Sequence, residues 1–89
     1  MKSIPAWLKV WMFLDEVNRD LNTIYECTKT SDLSPAGAYE GAAFLEELGL
    51  INLIREGRRV NVVRTQKFFV TRTVFKDVLD CYVSDKGTV

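Results

Sequence analysis

Residues 34–65 read SPAGAYEGAAFLEELGLINLIREGRRVNVVRT, and the fold turns on how this stretch is divided. Ser34 is a good N-cap, and Pro35 follows at the first helical position, where its missing N–H costs nothing. Ala38, Gly41/Ala42, Leu45 and Leu48 recur at helical spacing and predict a core-facing stripe. Gly49 can adopt the left-handed conformation that closes a helix after Leu48. Beyond it, residues 51–55 and 58–64 alternate around Glu56-Gly57, a hairpin signal. That reading sets Arg55 opposite Arg58, Leu53 opposite Val60 and Ile51 opposite Val62. The four apolar residues then share one face, seated on the domain, and two arginines repel each other at the tip. Two glycines inside the helix, Gly37 and Gly41, each cost about 1 kcal/mol relative to alanine. A close approach by another helix or a partner backbone is what offsets such a cost.

Working outward, 89 residues with 47% hydrophobic content make one small globular domain, residues 1–89, with 84–89 as a frayed polar tail. No apolar run reaches the roughly 18 residues of a membrane span. The N-terminal apolar run is interrupted by Lys9 and followed by Asp15-Glu16, so it reads as a structured helix and not as a signal peptide. The expectation is an intracellular, cytoplasmic protein. The chain has no histidine and two distant cysteines, Cys27 and Cys81, which fit no metal spacing. Buried free thiols are the plain reading, and a disulfide is the minority one. No metal or cofactor is expected.

The formal net charge is zero but unevenly spread. Residues 1–50 carry four basic and eight acidic side chains, a net of −4. Residues 51–72 carry Arg55, Arg58, Arg59, Arg64, Lys67 and Arg72 against Glu56 alone, a net of +5. Positive charge is therefore concentrated on the hairpin and just after it.

The flanks supply the remaining helices. A first helix is predicted over residues 3–18, capped by Ser3, with Pro5 in its first turn. Residues 10–14 are apolar on all sides, so more than one face must be covered. After a short connection at Leu21, Asn22 or Thr23 can cap a second helix over residues 23–30, with Ile24, Cys27 and Thr28 on one face. Leu33 is an apolar plug in the turn to the third. A fourth helix is predicted over residues 66–83, with a start nearer Thr71 as the alternative, because Phe69-Val70-Thr71 has strand propensity. Apolar surface at Trp7, Trp11, Met12, Phe75, Leu79 and Tyr82 exceeds what one small protomer can cover. It predicts a homodimer through the first and last helices.

The chain resembles the winged helix-turn-helix superfamily in its small prokaryotic or archaeal regulator form, MarR-like or PadR-like. The residues that carry this are Ile24-x-x-Cys27-Thr28, Leu33-Ser34-Pro35, residues 45–51 (LEELGLI) and Val62-Val63-Arg64-Thr65, within about residues 21–66. The resemblance implies an α+β fold: a three-helix core, a two-stranded β-hairpin wing and a C-terminal helix. It also implies a homodimer that binds double-stranded DNA, the third helix entering the major groove. Carried onto this sequence, the DNA-facing residues are Ser34, Ala36, Gly37, Tyr39, Glu40, Ala43 and Phe44 on the helix. Arg55, Arg58, Arg59, Arg64 and Lys67 are those on and after the wing. One departure stands out. The exposed face of the third helix has no Lys or Arg, and Glu40, Glu46 and Glu47 repel phosphate. A protein-interaction module using that acidic, aromatic face is the alternative. An enzyme is disfavoured, because there is no histidine, no phosphate-loop pattern and no carboxylate pair supported by a pocket.

Overall fold

The computed structural model describes residues 3–83, so the expected tail at 84–89 lies outside the described residues. The elements run α1 (Ala6–Glu16), β1 (Leu21–Thr23), α2 (Ile24–Ser31), α3 (Pro35–Glu47), β2 (Ile51–Glu56), β3 (Arg59–Arg64), α4 (Gln66–Val70) and α5 (Arg72–Val83). The three strands form one antiparallel sheet in the order β1-β3-β2.

The third helix forms as its sequence dictates. Ser34 Oγ accepts a hydrogen bond from the Gly37 N–H at 3.1 Å, Pro35 opens the first turn, and Gly49 closes the element at φ +82°. Ala38, Gly41, Ala42 and Leu45 are buried as expected, whereas Leu48 is only half-buried. The two glycines differ in kind. A Cβ at Gly41 would lie 3.0 Å from the backbone of Ala6 and Trp7, so here α1 and α3 meet at backbone contact distance. A Cβ at Gly37 would meet only the side chains of Ser34 and Leu33.

Helix α1 is shorter than predicted. Pro5 stands at its N-cap with an extended backbone, its carbonyl accepting from Leu8 and Lys9, and Ser3 does not cap it. Leu8, Val10, Trp11 and Leu14 are buried; Met12 and Phe13 are half-buried. The all-round apolar run is thus covered on most sides within the protomer, by α2, α3 and the aromatic residues of α4 and α5. Trp11 stacks on Phe68 at 5.8 Å and retains 1% of its surface, so it belongs to the core and offers nothing to a second chain.

The predicted connection at Leu21 is instead a strand. Leu21, Asn22 and Thr23 pair with Val63, Val62 and Asn61, which turns the two-stranded wing into a three-stranded sheet. Thr23 then caps α2 in a reciprocal capping box: its Oγ1 accepts from the Glu26 N–H, and the Glu26 carboxylate accepts from the Thr23 N–H at 2.9 Å.

The hairpin register differs from the expected one by two residues. Leu53 lies opposite Val62, Arg55 opposite Val60, and Glu56 opposite Arg59. The connecting pair is Gly57-Arg58, with Gly57 at φ +60°. Glycine at the first central position suits the II′ turn, whose twist matches that of the strands; with glycine at the second, the I′ turn would need positive φ at Glu56 as well, which a residue with a side chain resists. A two-residue slip keeps every side chain on its face, so Ile51, Val60 and Val62 are buried and Leu53 is half-buried, as expected. What falls is the repulsive Arg55–Arg58 pair at the tip: an opposite-charge pair of positions, Glu56 and Arg59, sits there instead.

The predicted fourth helix is broken in two at Thr71, whose Oγ1 donates back to the Lys67 carbonyl at 2.7 Å. Phe68 anchors the short first piece at 0% exposure. Helix α5 has no fully buried residue, and its apolar side packs at the margin of the core. Arg72 and Asp15 form an ion pair that ties its start to α1. Cys27 is buried and Cys81 is exposed, both as free thiols, so burial holds for only one of the two.

Candidate nucleic-acid interface

Helix α3 presents Ala36, Tyr39, Glu40, Ala43, Phe44 and Glu47 outward, with Ser34 exposed at its start and Gly37 half-buried. The small side chains leave its surface shallow. Phe44 leans back on Trp7, with ring centroids 5.4 Å apart, and is 42% exposed. Tyr39 leans the other way, toward the wing. It lines a groove of about 690 Å³ together with Arg58, Arg59, Val60 and Asn61 of the wing and with Arg19, Leu21, Thr23, Ile24, Tyr25 and Glu26. The outer face of α3 and the wing arginines therefore border one concave surface.

The basic residues do not all reach it. Arg55, Arg58 and Arg59 are exposed, and their side chains make no hydrogen bond or ion pair among the described residues. Arg64 folds inward. Its guanidinium donates to the carbonyls of Leu14 (2.8 Å), Val17 (3.2 Å) and Arg19 (2.9 Å) and lies 5.0 Å from the Phe69 ring centroid. Lys67 Nζ donates to the Leu48 carbonyl at 2.7 Å and packs along Gly49. Both satisfy carbonyls that the ends of α1 and α3 leave without partners, where a cation also meets the negative end of the helix dipole. The expectation that Arg64 and Lys67 face an external anion is corrected on that ground.

Eight of the eleven groove residues lie outside the sequence expectation, Tyr25 and Arg19 among them. Tyr25 is 69% exposed at the start of α2, with Lys29 Nζ 5.5 Å from its ring centroid. Its position just off the Ile24–Cys27 stripe already turns it outward. Arg19 pairs with Glu26. The Thr23 backbone N–H first, and Arg19 second, hold the Glu26 carboxyl below its usual range. Burial pushes the Cys27 thiol up, opposed by its contact with Ser31.

Of the residues expected at a dimer interface, Trp7, Met12, Phe75, Leu79 and Tyr82 are half-buried and packed against the core, with Trp7 edge-on to Phe75 at 6.1 Å. Val70, Val74 and Val83 on α4 and α5 are exposed. Among the described residues, no group of His, Cys, Asp and Glu is placed to hold a metal ion, and no helix is long and apolar enough to cross a membrane.

Three packed helices, a tight turn from α2 into α3, and a β-hairpin sewn to the sheet directly after α3 define the winged helix-turn-helix fold, and this chain has it. No protein-family model and no curated protein matches the sequence. Solved structures do match. F-93 of SSV1 aligns at TM-score 0.67 and 17% identity, over 94% of this chain and 96% of its own. BpsR of Bordetella bronchiseptica, whose DNA binding is regulated by 6-hydroxynicotinic acid, aligns at 0.71 and 15%, over 98% of this chain and 60% of its own. A transcriptional regulator homologue from Pyrococcus horikoshii aligns at 0.68 and 22%, over 96% and 85%. The chain thus spans nearly all of F-93 but about three fifths of BpsR. At these identities the likeness establishes the shared fold.

Proposed function

We propose that this protein is a double-stranded DNA-binding transcriptional regulator acting as a homodimer. Helix α3 enters the major groove, Ser34 and the start of α3 lie at a phosphate, and Arg58 and Arg59 reach the neighbouring backbone or minor groove. The observation that carries this reading is the single concave surface shared by Tyr39 of α3 and the two arginines of the wing. A duplex needs that arrangement: a slim helix to enter the groove, and cations beside it for the phosphates. Two of the matching solved proteins are described by DNA binding or by transcriptional regulation, which agrees with a non-enzymatic role. The dimer brings two copies of α3 to successive turns of the duplex, through Trp7, Met12, Phe75, Leu79 and Tyr82 and the exposed valines of α4 and α5.

Fluorescence anisotropy with a labelled random duplex at several salt concentrations tests the reading. The parent protein should bind with a clear salt dependence. Arg58→Ala combined with Arg59→Ala should reduce the slope of log affinity against log salt by about 0.9 for each phosphate that the variant no longer neutralises. No binding at low salt by the parent protein refutes the proposal. An unchanged slope in the double variant removes the wing from it and favours the protein-interaction reading of the α3 face.

A further inference from the structure

We infer that Glu40 is a base-reading residue that selects cytosine in the major groove. The inference rests on the reading of α3 as the groove-entering helix and adds what that helix recognises.

Glu40 is the sixth residue of α3 and is exposed on the face between Tyr39, which borders the wing groove, and Phe44, which lies against Trp7. Nothing in the fold occupies its carboxylate. It makes no hydrogen bond or ion pair among the described residues. Glu46 contrasts with it, for Glu46 Oε2 accepts from the Leu53 N–H on the open edge of β2 at 2.8 Å. Local helix energetics do not account for Glu40 either. It lies past the first turn, where the helix dipole favours an acid. The positions three and four residues away on either side hold Ala36, Gly37, Ala43 and Phe44, so no cation pairs with it along the helix.

A carboxylate only accepts hydrogen bonds. In the major groove the acceptors of guanine, adenine N7 and thymine O4 repel it, and the available donors are the amino groups of cytosine and adenine. Adenine N6 lies between two acceptors, N7 on its own base and O4 of the paired thymine. Cytosine N4 has one acceptor neighbour, guanine O6, and a C–H on its other side. Cytosine is therefore the base that best satisfies a carboxylate enclosed in the groove. Ala36, Gly37 and Ala43 around Glu40 are small enough for the helix to lie close to the base edges. The same charge repels the phosphates of every sequence, so it weakens non-specific binding while it rewards one base.

Random-site selection followed by sequencing, run on the full-length parent protein, Glu40→Gln and Glu40→Ala, tests this, with random-duplex affinity measured beside it. Both variants should fold as the parent does, since the side chain is exposed, and equal thermal unfolding midpoints check it. The parent should enrich cytosine at one position of the selected site. Glu40→Ala should lose that preference, a change of about 5- to 150-fold in discrimination at that base pair. Glu40→Gln should move the preference toward adenine, which an amide pairs with through N6 and N7. Both variants should bind random duplex a few-fold more tightly than the parent. Variants that select the same sites as the parent overturn the assignment and leave DNA binding intact, as does a parent with no base preference. A parent that binds no duplex at all overturns both.

Discussion

Gly41 offers the sharpest test of how this small core is assembled. Glycine inside a helix is unfavourable, and on propensity alone Gly41→Ala should stabilise α3 by about 1 kcal/mol. The geometry opposes that. The new Cβ would stand 3.0 Å from the carbonyl carbon and oxygen of Ala6 and from Cα of Trp7. Carbon atoms prefer about 3.5–4.0 Å. The obstacle is backbone, so no rotamer change relieves it, and α1 must move away by roughly half an ångström. That helix carries Leu8, Val10, Trp11 and Leu14, each at 1% exposure or less, so its displacement loosens the whole core. Overpacking of this kind costs about 1–3 kcal/mol, and after the propensity gain the net loss is about 1 kcal/mol.

Gly37→Ala is the matched control on the same helix. Its Cβ would meet Ser34 Oγ at 3.3 Å and Leu33 Cδ2 at 3.8 Å, both side-chain atoms able to shift by tenths of an ångström. It should raise stability by about 0.5 kcal/mol. Urea unfolding at one fixed protomer concentration reads both. With m near about 1 kcal/mol/M, the two midpoints should part by roughly 1.5 M, with the parent between them. If Gly41→Ala raises the midpoint as Gly37→Ala does, the close approach of α1 and α3 is not what selects glycine at position 41.

Three further outcomes follow from the same structure. Arg64→Ala leaves three carbonyls at the end of α1 and the following loop without their donor and should cost about 2–4 kcal/mol in urea unfolding, whereas Arg58→Ala should stay within about 0.5 kcal/mol of the parent. The Glu26 carboxyl is held below its usual value of 4.5, so its contribution to stability is complete above that value and is lost as pH falls through the lower folded-state value. Glu26→Gln should accordingly lower stability at neutral pH and flatten the acid limb of a stability–pH curve; an unchanged limb means that the capping box does not couple to folding. In Ellman's titration Cys81 should react at once and Cys27 only in denaturant, because Cys27 is 2% exposed and its thiol is pushed toward the protonated form; equal rates would contradict that burial.

The parts of the fold legible in the sequence are those specified by neighbouring residues. Ser34, Pro35 and Gly49 state where α3 begins and ends, and Asn22-Thr23 marks the start of α2, with the capping box to Glu26 deciding for Thr23 in the structure. The alternation of Ile51, Leu53, Val60 and Val62 fixes which hairpin face is inward. The parts that are not legible depend on partners distant in the chain. Strand β1 is three residues long, too short to show a period, and it exists only because β3 pairs with it from far along the chain. The same pairing buries Asn22 and Asn61, polar residues that local reasoning puts outside. The break at Thr71 rests on side-chain bonding back to Lys67. The hairpin register is ambiguous for a local reason: it depends on which central turn position the glycine takes, and the strand pattern is indifferent to a shift of two.

The candidate site shows the same division with a larger consequence. Counted along the chain, residues 51–72 carry a net charge of +5. In the folded protein Arg64 and Lys67 are held on helix-end carbonyls and Arg72 on Asp15, so the charge free to meet phosphate is Arg55, Arg58 and Arg59 against Glu56, a net of +2. On the DNA-binding reading, about two or three phosphates neutralised per protomer give a dimer a salt slope of only about −4 to −5. Such a protein holds random duplex weakly, and the carboxylate of Glu40 on α3 weakens that hold further. The binding energy for a target must then come from groups that random sequence does not provide: a cytosine amino group, and apolar contact of Tyr39 with the groove. A helix without arginine is thus compatible with selective recognition, provided that the wing supplies modest attraction and two copies of α3 act on one duplex.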